Sequence, residues 1–349
     1  MNTTVTINDI AKKAGVGKTT VSRVINNSGY VKAETREKIE KIMEELDYLP
    51  SSVAKSLSKR CSDLIAFVVP QIENTFYAEV LKGISDVIEK KGYTLIVCNT
   101  DNDTSKDLKA LETIYKQKAA GIIYTPVKEY DDKKENDALW KLLAKMDFPC
   151  ILLDRPLSSD RMEFDQVLSD NYQATYIATQ ALIEAGHSNI GAVFANVNNY
   201  VSKKRYEGFK RALSDSGLKL TKNQVVICEK STYEQAYVRS KKLLELKERP
   251  TAVLCGNNTC GIGFLKAVFE QGMKIPEDIG YIGYDDIPIL SALGNHFSCM
   301  NRNLEAMGRK AAQLLLKRIE DTGKAEETTT VIMKSDLCLR GSEIKYIKK

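Results

Sequence analysis

The sequence predicts an α/β protein, with a small all-α unit at the N-terminus followed by two doubly wound parallel sheets. Two observations lead to this prediction. From Ser62 onward, short apolar runs typical of buried strands alternate with amphipathic stretches of helical length, which favours parallel sheets covered on both faces. Before Ser62, apolar residues recur every three or four positions, which indicates short helices.

The bulk composition fits a protein of two or three globular domains. The chain has 349 residues, of which 43% are hydrophobic and 28% are charged, as is usual for such proteins. No apolar run approaches the roughly 18 residues that a membrane helix requires. The N-terminus also lacks the pattern of a secretory signal, so no association with a membrane is expected.

The eight cysteines are scattered, and no two of them form a C-x-x-C pair. Most of them, such as Cys98 and Cys255, lie in apolar strand-like runs. This usage suits a reduced cytoplasmic interior better than disulfides or zinc. The only histidines are His187 and His296, so a histidine-rich metal site is not expected, and no cofactor is predicted.

Positive charge is concentrated in the N-terminal unit. Residues 1–60 contain 11 Lys and Arg against 7 Asp and Glu, whereas the remaining residues contain 40 against 39. The N-terminal unit is therefore the expected polyanion-binding part. The excess alone does not decide this, because many solvated surfaces carry a similar charge.

The stretch GVGKTT in the N-terminal unit resembles the end of a phosphate-binding loop. Such a loop requires G-x-x-x-x-G-K-[ST] after a buried strand, but Lys12 stands where the first glycine should be. The preceding apolar residues have helical rather than strand spacing; they are Ile7, Ile10, Ala11 and Ala14. A nucleotide-binding loop is therefore rejected.

Three short helices are predicted in the N-terminal unit, over about residues 6–14, 18–26 and 33–47. Thr6 is expected to cap the first helix, with Asp9 three residues further on. Two short helices joined by a tight turn and braced by a third form a helix-turn-helix unit. In such a unit the second helix enters the major groove of DNA.

The outward side chains of the second helix are suited to reading base edges. Lys18, Thr19, Ser22 and Arg23 are of the hydrogen-bonding and cationic types that such contacts need. An ordinary solvated helix face is the alternative interpretation. The next segment, residues 51–61, is either a basic linker or a hinge helix with Leu57 as an apolar wedge for the minor groove.

The segment TINDIAKKAGVGKTTVSRVINNSGYVKAETREKIEKIMEELDYLPSSVAKSL resembles, without gaps, the DNA-binding segment of the lactose-repressor (LacI) family of bacterial transcription regulators. The resemblance implies base readout by the second helix and a hinge contact around Leu57. Gly17 departs from the family, which usually has a helix-capping serine there. The residues expected at DNA are Thr6, Lys18, Thr19, Thr20, Ser22, Arg23, Asn26, Tyr30, Ala54, Lys55 and Leu57.

The larger part of the chain is predicted to contain two parallel sheets of about five strands each, with the break near residues 154–164. The predicted strands lie at about 64–69, 94–98, 121–125, 150–154, 190–195, 252–256 and 279–284. The predicted helices lie at about 77–91, 104–118, 171–186, 202–217, 232–247 and 258–272.

Ligands of such sheets bind at the carboxyl ends of the strands. The residues found there include aromatic rings, which stack on apolar sugar faces, and amide and charged groups, which bind hydroxyls. Any one of these residues could instead be structural, because charged residues are common at strand ends. The candidate effector-binding residues are Asn74, Phe76, Tyr77, Asp154, Arg155, Tyr200, Arg205, Asn257, Asp285 and Arg302.

The resemblance to the LacI family extends along the rest of the chain, through landmarks such as ENTFYAEVLKGI, RPTAVLCGNN and IPEDIGYIGYDDIP in family order. It implies the fold of periplasmic sugar-binding proteins, in which the chain crosses three times between two lobes that close on a ligand. Lobe 1 would comprise about 62–161 plus 295–323, and lobe 2 about 162–294 plus 324–345. The implied domains are thus 1–50 for DNA binding, 51–61 for the hinge, and 62–349 for effector binding and dimerisation.

One departure from the family lies at the expected pocket edge, where Arg302-Asn303 replaces a frequent Gln-Pro. Arg302 either favours an acidic or phosphorylated effector or simply pairs with a carboxylate. His187 also matches a family landmark and is expected to be structural. The positions that match family ligand contacts are Phe76, Arg155, Arg205, Asn257 and Asp285.

The predicted function is a sequence-specific DNA-binding transcriptional repressor whose operator affinity is controlled by a small molecule, a sugar or sugar derivative. Two chains are expected to pair as a homodimer on a pseudo-palindromic operator. A regulator of the same fold that responds to a partner protein or a purine-like corepressor is one alternative. A sugar-acting enzyme is another, although Asp285-Asp286 is the only carboxylate pair at a strand end.

Overall fold

A computed structural model describes most of the chain. The described ranges are residues 5–25, 28–48, 62–127, 137–157, 163–321 and 327–345. Asn26 and the predicted hinge, residues 51–61 with Ala54, Lys55 and Leu57, lie outside these ranges, so their roles stay predictions. No helix in the described ranges combines the length and the apolar character needed to cross a bilayer.

The N-terminal unit contains three helices around a small core. They are α1 Ile7–Ala14, α2 Lys18–Ile25 and α3 Ala33–Glu45, close to the predicted positions. The side chains of Ile10, Val21 and Ile39 are wholly buried between them. At the start of α1, the Asp9 carboxylate accepts hydrogen bonds from the backbone N–H of Thr6 (2.8 Å) and from its hydroxyl (2.6 Å). The predicted cap is confirmed.

Lobe 1 is built on a sheet of six parallel strands in the order β11-β5-β4-β3-β1-β2. The strands are β1 Leu64–Val69, β2 Thr94–Asn99, β3 Gly121–Tyr124, β4 Cys150–Leu153, β5 Asp165–Ser169 and β11 Thr330–Met333. The helices are α4 Thr75–Ile88, α5 Thr104–Lys116, α6 Asp137–Leu143 and α12 Leu304–Glu320, with a 3-10 turn at Glu89–Lys91.

Lobe 2 has a second six-stranded sheet in the order β12-β10-β9-β8-β6-β7. Only β12 runs antiparallel to its neighbour. The strands are β6 Ile190–Phe194, β7 Val225–Ile227, β8 Ala252–Cys255, β9 Gly280–Tyr284, β10 Cys299–Arg302 and β12 Ser335–Cys338. The helices are α7 Asn171–Glu184, α8 Tyr200–Asp215, α9 Tyr233–Leu244, α10 Asn258–Glu270 and α11 Pro288–Ala292, with a 3-10 turn at Lys222–Gln224.

The chain crosses between the lobes three times, as predicted, but the predicted lobe boundaries are wrong in three places. Strand β5 belongs to lobe 1, although lobe 2 was expected to begin near residue 162. Strand β10 belongs to lobe 2, although residues 295–323 were assigned to lobe 1, and β11 belongs to lobe 1, although 324–345 were assigned to lobe 2. Within the described ranges each sheet has six strands, rather than about five.

Two of the misassigned strands, β5 and β10, share a physical reason, which is that buried charged residues interrupt their apolar pattern. In β5, Asp165 is buried but pairs with Arg318 on α12 through two contacts of 2.7 and 2.8 Å. In β10, the last residue is the buried Arg302. Because the strand pattern was sought in apolar runs, strands with such charged residues were missed.

Two glycines allow α4 and α12 to approach closely. A Cβ atom on Gly83 would lie 2.0 Å from the backbone oxygen of Glu305, and one on Gly308 would lie 2.1 Å from that of Val80. No side chain fits at either position, so the two helices meet backbone to backbone. This contact fixes the N-terminal end of α4, which carries Asn74 and Phe76, against lobe 1.

Candidate effector cleft and nucleic-acid interface

A cleft of about 590 Å³, counting the part open to solvent, lies between the carboxyl ends of the two sheets. Nine of the ten predicted effector-binding residues line it; they are Asn74, Phe76, Tyr77, Asp154, Arg155, Arg205, Asn257, Asp285 and Arg302. Lining a cleft does not establish binding, so their role stays a prediction. The cleft lies where ligands of parallel sheets bind.

Tyr200 is not among the residues that line the cleft, although its neighbours Asn199, Val201 and Ser202 are. It is the first residue of α8, and the ammonium group of Lys204 lies 6.0 Å from the centre of its ring. Tyr200 follows strand β6 in the chain, as predicted. The side-chain directions of the first helical turn decided which residues face the cleft.

Asp154 and Asp285 occupy equivalent places in the two lobes. Asp154 directly follows β4 and Asp285 directly follows β9, and both have left-handed backbone conformations, with φ of 63° and 62°. Such values are uncommon for residues other than glycine, and they cluster at ligand sites. The two lobes thus each direct one buried carboxylate towards the same region.

Arg302, at the end of β10, joins these two carboxylates. Its Nε and Nη2 atoms donate to the two oxygens of Asp285 at 2.7 and 2.6 Å, and its Nη1 atom lies 3.3 Å from Asp154 and 3.4 Å from the Ser169 hydroxyl. Asp285 belongs to lobe 2, whereas Asp154 and Ser169 belong to lobe 1. Arg302 therefore pairs with carboxylates, which was one of the two predicted explanations, and it links the lobes.

The surroundings of Arg302 keep it charged. Burial by itself lowers the pKa of this guanidinium, but the Asp285 carboxylate outweighs that effect, so the pKa is raised. The guanidinium carbon also lies 4.5 Å from the centre of the Phe76 ring. The neighbouring Tyr77 ring meets Phe76 edge to face at 4.8 Å. Burial raises the pKa of Tyr77, so its hydroxyl stays neutral.

Arg205 is held on the floor of the cleft by neutral groups. It donates to the side-chain oxygen of Asn171 at 2.7 Å and to the backbone oxygen of Gly256 at 2.6 Å. Its guanidinium carbon lies 3.5 Å from the centre of the Tyr284 ring, within cation–π range. Burial lowers its pKa. Asn171 and Tyr284 thus position Arg205, a role that no local sequence pattern indicates.

Arg155 follows Asp154 at the mouth of the cleft. Its Nη1 atom donates to the backbone oxygens of Pro126 and Val127, at 3.0 and 3.1 Å. Its Nε atom is buried, and no acceptor within the described residues reaches it. One donor of this guanidinium is therefore left for a ligand or for water.

A second set of hydrogen bonds crosses between the lobes at the start of α4. The Asn258 amide donates to the side-chain oxygens of Asn74 and Thr75, both at 3.0 Å. Asn74 also caps α4 by accepting from the backbone N–H of Phe76, and Asn257 caps α10 by accepting from Cys260. Asn258 follows the same predicted strand as Asn257 but was not among the candidate effector-binding residues, although an Asn pair after a buried strand is a signal for a helix cap.

Two further sequence predictions concern residues with possible chemical roles. The carboxylates of Asp285 and Asp286 bind different arginines, since Asp286 pairs with Arg340 at 2.6 and 3.0 Å, which lowers the pKa of Asp286. Neither is placed as a general base. His187 is buried and hydrogen-bonded to the Thr251 hydroxyl and the backbone oxygen of Glu343, which supports a structural role.

Helix α2 presents a cationic and hydroxyl-bearing face. Lys18, Thr19 and Arg23 are exposed, while Thr20 and Ser22 are half-buried. Tyr30, in the following turn, has 86% of its surface exposed. The hydroxyl of Thr6 is engaged with Asp9, so its oxygen is free only to accept. The helix has no acidic residue, so its face is uniformly suited to an anionic partner.

Two protein families match this chain. Residues 62–348 match the family described as periplasmic binding proteins and sugar binding domain of LacI family, and residues 6–51 match bacterial regulatory proteins, lacI family. Together the two matches cover both the helical unit and the two lobes. They correspond to the two parts of the chain that the fold separates.

Individual relatives support the same family assignment. The HTH-type transcriptional repressor PurR of Vibrio atlanticus is 34% identical over 90% of this chain and 92% of its own length. The ribose operon repressor of Haemophilus influenzae is 32% identical over 97% and 98%. A solved complex of the transcriptional regulator CelR with cellobiose shares 26% identity, over 97% of this chain and 99% of its own, with a TM-score of 0.71. The chain is a member of the LacI family of bacterial DNA-binding transcriptional regulators.

Proposed function

We propose that this protein is a transcriptional repressor whose affinity for its operator depends on a small molecule bound between the lobes. The observation that carries the proposal is the cleft itself. Arg302 and Asn258 hold it together by hydrogen bonds that cross from one lobe to the other. A ligand that enters there meets side chains of both lobes, so it binds two lobe arrangements with different affinity. Only such a difference can shift their equilibrium.

The proposal that the partner is DNA rests on the N-terminal unit. Cationic contacts to phosphate supply salt-dependent affinity, and side chains of α2 supply the choice of sequence. Lys18, Thr19 and Arg23 are the proposed base-reading residues, because they are exposed on one helix of a helix-turn-helix unit. Binding to operator DNA supports a location in the bacterial cytoplasm.

We propose a homodimer, with lobe 2 supplying part of the interface. Large apolar side chains are exposed on its helices. They include Val238, Ile262, Phe269, Ile289 and Leu293, which are 51%, 42%, 45%, 63% and 69% exposed. Burial of such side chains favours association. A two-fold pair would bring two N-terminal units to the half-sites of a pseudo-palindrome.

The relatives suggest the chemical class of the effector. The names of the ribose operon repressor and the CelR–cellobiose complex point to a sugar, and that of PurR suggests a purine as the second candidate. Control by a partner protein would need neither the cleft nor its polar lining. Catalysis is not proposed, because the adjacent carboxylates Asp285 and Asp286 are both committed to arginines.

The test begins with the full chain and a pool of random DNA duplexes. We expect selection to enrich a symmetric site, and a thermal-shift screen over sugars, sugar derivatives and purines to find a compound that raises the melting temperature. The same compound should change the affinity for the selected site. Enrichment of no symmetric sequence, with or without metabolites, would exclude the operator-binding role.

The hinge prediction can be tested in the same assay. Leu57→Ala should weaken binding to the selected operator and leave binding to unrelated duplexes nearly unchanged, because a wedge acts only at the operator centre. A neighbouring change, Ser58→Ala, is the matched control. Equal losses on operator and unrelated DNA would argue against a wedge at this position.

A further inference from the structure

The charges that line the cleft do not balance. Among the described residues, the lining contains three guanidiniums, those of Arg155, Arg205 and Arg302, and two carboxylates, those of Asp154 and Asp285. Among the described residues, both carboxylates form ion pairs with Arg302. The two remaining guanidiniums are therefore left without a carboxylate partner among the residues that line the cleft.

Arg205 shows most clearly what the lack of a carboxylate partner means. It is only 3% exposed, and its hydrogen-bond partners are an amide oxygen and a backbone oxygen. These neutral acceptors orient the guanidinium but do not cancel its charge. A buried charge without a counter-charge is costly, so burial lowers the pKa of this arginine. An anion in the cleft would remove this cost.

Arg155 leads to the same conclusion by an independent observation. Its Nη1 atom is bound by two backbone oxygens, and its buried Nε atom has no acceptor within the described residues. Buried donors without acceptors are rare in folded proteins. A guanidinium N–H without an acceptor can donate to an oxygen of a carboxylate or a phosphate.

Other acids lie near this region. Asp101 and Glu229 line the space that adjoins the cleft beside Arg155, and each pairs with a cation outside the cleft. Glu79, on α4, is half-buried and is not part of the cleft lining. Burial, followed by the neighbouring Asp285, raises its pKa, so its charged form is disfavoured. Among the described residues, Glu79 forms no ion pair with Arg155 or Arg205.

We infer that the effector is an anion, a small hydroxyl-bearing molecule with a phosphate or carboxylate group that faces Arg155 and Arg205. This inference rests on the proposed function of the cleft. Arg302 determines the preference indirectly, because it occupies the two carboxylates that would otherwise offset the other guanidiniums. A neutral sugar would satisfy hydrogen bonds there, but it would leave the positive charge unbalanced.

The test compares neutral and anionic ligands of matched shape on the full chain. The probes are ribose with ribose 5-phosphate, galactose with galacturonate, and inorganic phosphate alone, all at one ionic strength. We expect an anionic member of a pair, or phosphate, to raise the melting temperature at a concentration at least tenfold lower than the neutral member requires. The responding pair distinguishes a phosphate ligand from a carboxylate ligand.

Matched variants separate the cleft from the DNA-binding surface, which also attracts anions. Arg155→Gln should raise the half-saturating anion concentration at least tenfold. Arg211→Gln removes an equal charge from the exposed face of α8, where Arg211 pairs with Asp215, and should change it less than twofold. Equal changes in the two variants would overturn the inference.

The remaining outcomes distinguish this inference from the proposed function. If a neutral sugar stabilises the protein as well as its anionic counterpart, the anionic class is wrong and small-molecule control stands. If neither neutral nor anionic probes raise the melting temperature, both the anionic class and the effector role of the cleft are contradicted.

Discussion

The two candidate binding surfaces of this protein use the same kind of side chain in opposite ways. On α2, Lys18 and Arg23 are exposed, and no acidic residue shares the helix. In the cleft, Arg302 is 8% exposed and bound to two carboxylates. On α2 the cations are exposed and can attract a partner from a distance, whereas in the cleft the cation is already bound to fixed partners.

This difference suits each surface to a different partner. Exposed cations keep their hydration and attract a polyanion over about one Debye length, roughly 10 Å at 0.1 M salt. Buried cations act only on groups that reach them, and the cost of burial makes them selective. A change in charge should therefore alter DNA affinity at α2, but folding and ligand choice in the cleft.

The largest expected effect is on stability, from Arg302→Met. Removal of one partner from a buried ion pair leaves Asp154 and Asp285 unpaired in the interior, which should lower the free energy of unfolding by about 3–5 kcal/mol. Urea denaturation measures the change. Lys82→Met, which removes the exposed pair with Glu305, is the control and should have little effect. Equal losses would mean that the buried bridge is no stronger than a surface pair.

A smaller effect, on DNA binding, is expected from Arg23→Ala. Loss of one base or phosphate contact should weaken operator binding by about 1–3 kcal/mol, measured by fluorescence anisotropy, without a change in unfolding. Lys41→Ala, on α3, also removes an exposed charge from the N-terminal unit and serves as the control. If both variants lose the same affinity, α2 acts as a general charge surface and does not read sequence.

Features that depend on residues close together in the sequence could be predicted, whereas contacts between residues far apart in the sequence could not. Three of the four side chains predicted to face outward on α2, those of Lys18, Thr19 and Arg23, are exposed, and Ser22 is half-buried. This face could be predicted because it depends on helical spacing within eight residues. The strand β1 was predicted with its observed bounds because all six of its residues are apolar. In contrast, the Arg302–Asp154 contact joins residues 148 positions apart, and neither residue carries a local sign of the other.

Errors in the predictions arose where polar residues are buried. Strand β5 was missed because Asp165 breaks its apolar pattern. The buried charge of Asp165 is compensated by Arg318, which lies on a helix that follows much later in the chain. Tyr200 was assigned to the cleft because it follows a strand, but the start of α8 presents Asn199 and Ser202 there instead. Both errors concern tertiary contacts, which single-chain patterns do not record.

The affinities of the two surfaces for their partners should depend differently on the salt concentration. Between 50 and 200 mM salt, affinity for the operator should fall at least tenfold, because phosphate contacts release counterions. Binding of a ligand in the cleft should change by less, since partly buried charges are screened less. Anisotropy and calorimetry on one preparation give both values. A steeper salt dependence for the ligand than for DNA would contradict the contrast.

The smallest expected effect concerns pH, through Asp286. Arg340 lowers the pKa of this carboxyl below 3.8, so the pair contributes stability above the unfolded pKa. That contribution is lost as the pH falls through the lowered folded pKa. The stability difference between wild type and Asp286→Asn should therefore be present at pH 7 and shrink below about pH 4. Asp336→Asn, at an exposed position, is the control, and a difference that grows in acid would contradict the assignment.

The central claim is that occupancy of the cleft controls the affinity of the N-terminal unit for DNA. It is tested most directly by the affinity for the selected operator, measured with and without a saturating amount of the ligand that raises the melting temperature. A coupling of about 1–3 kcal/mol predicts a change of about 5- to 150-fold, with an equal factor for the effect of DNA on ligand affinity. An operator affinity that stays the same while the ligand is bound would contradict the claim.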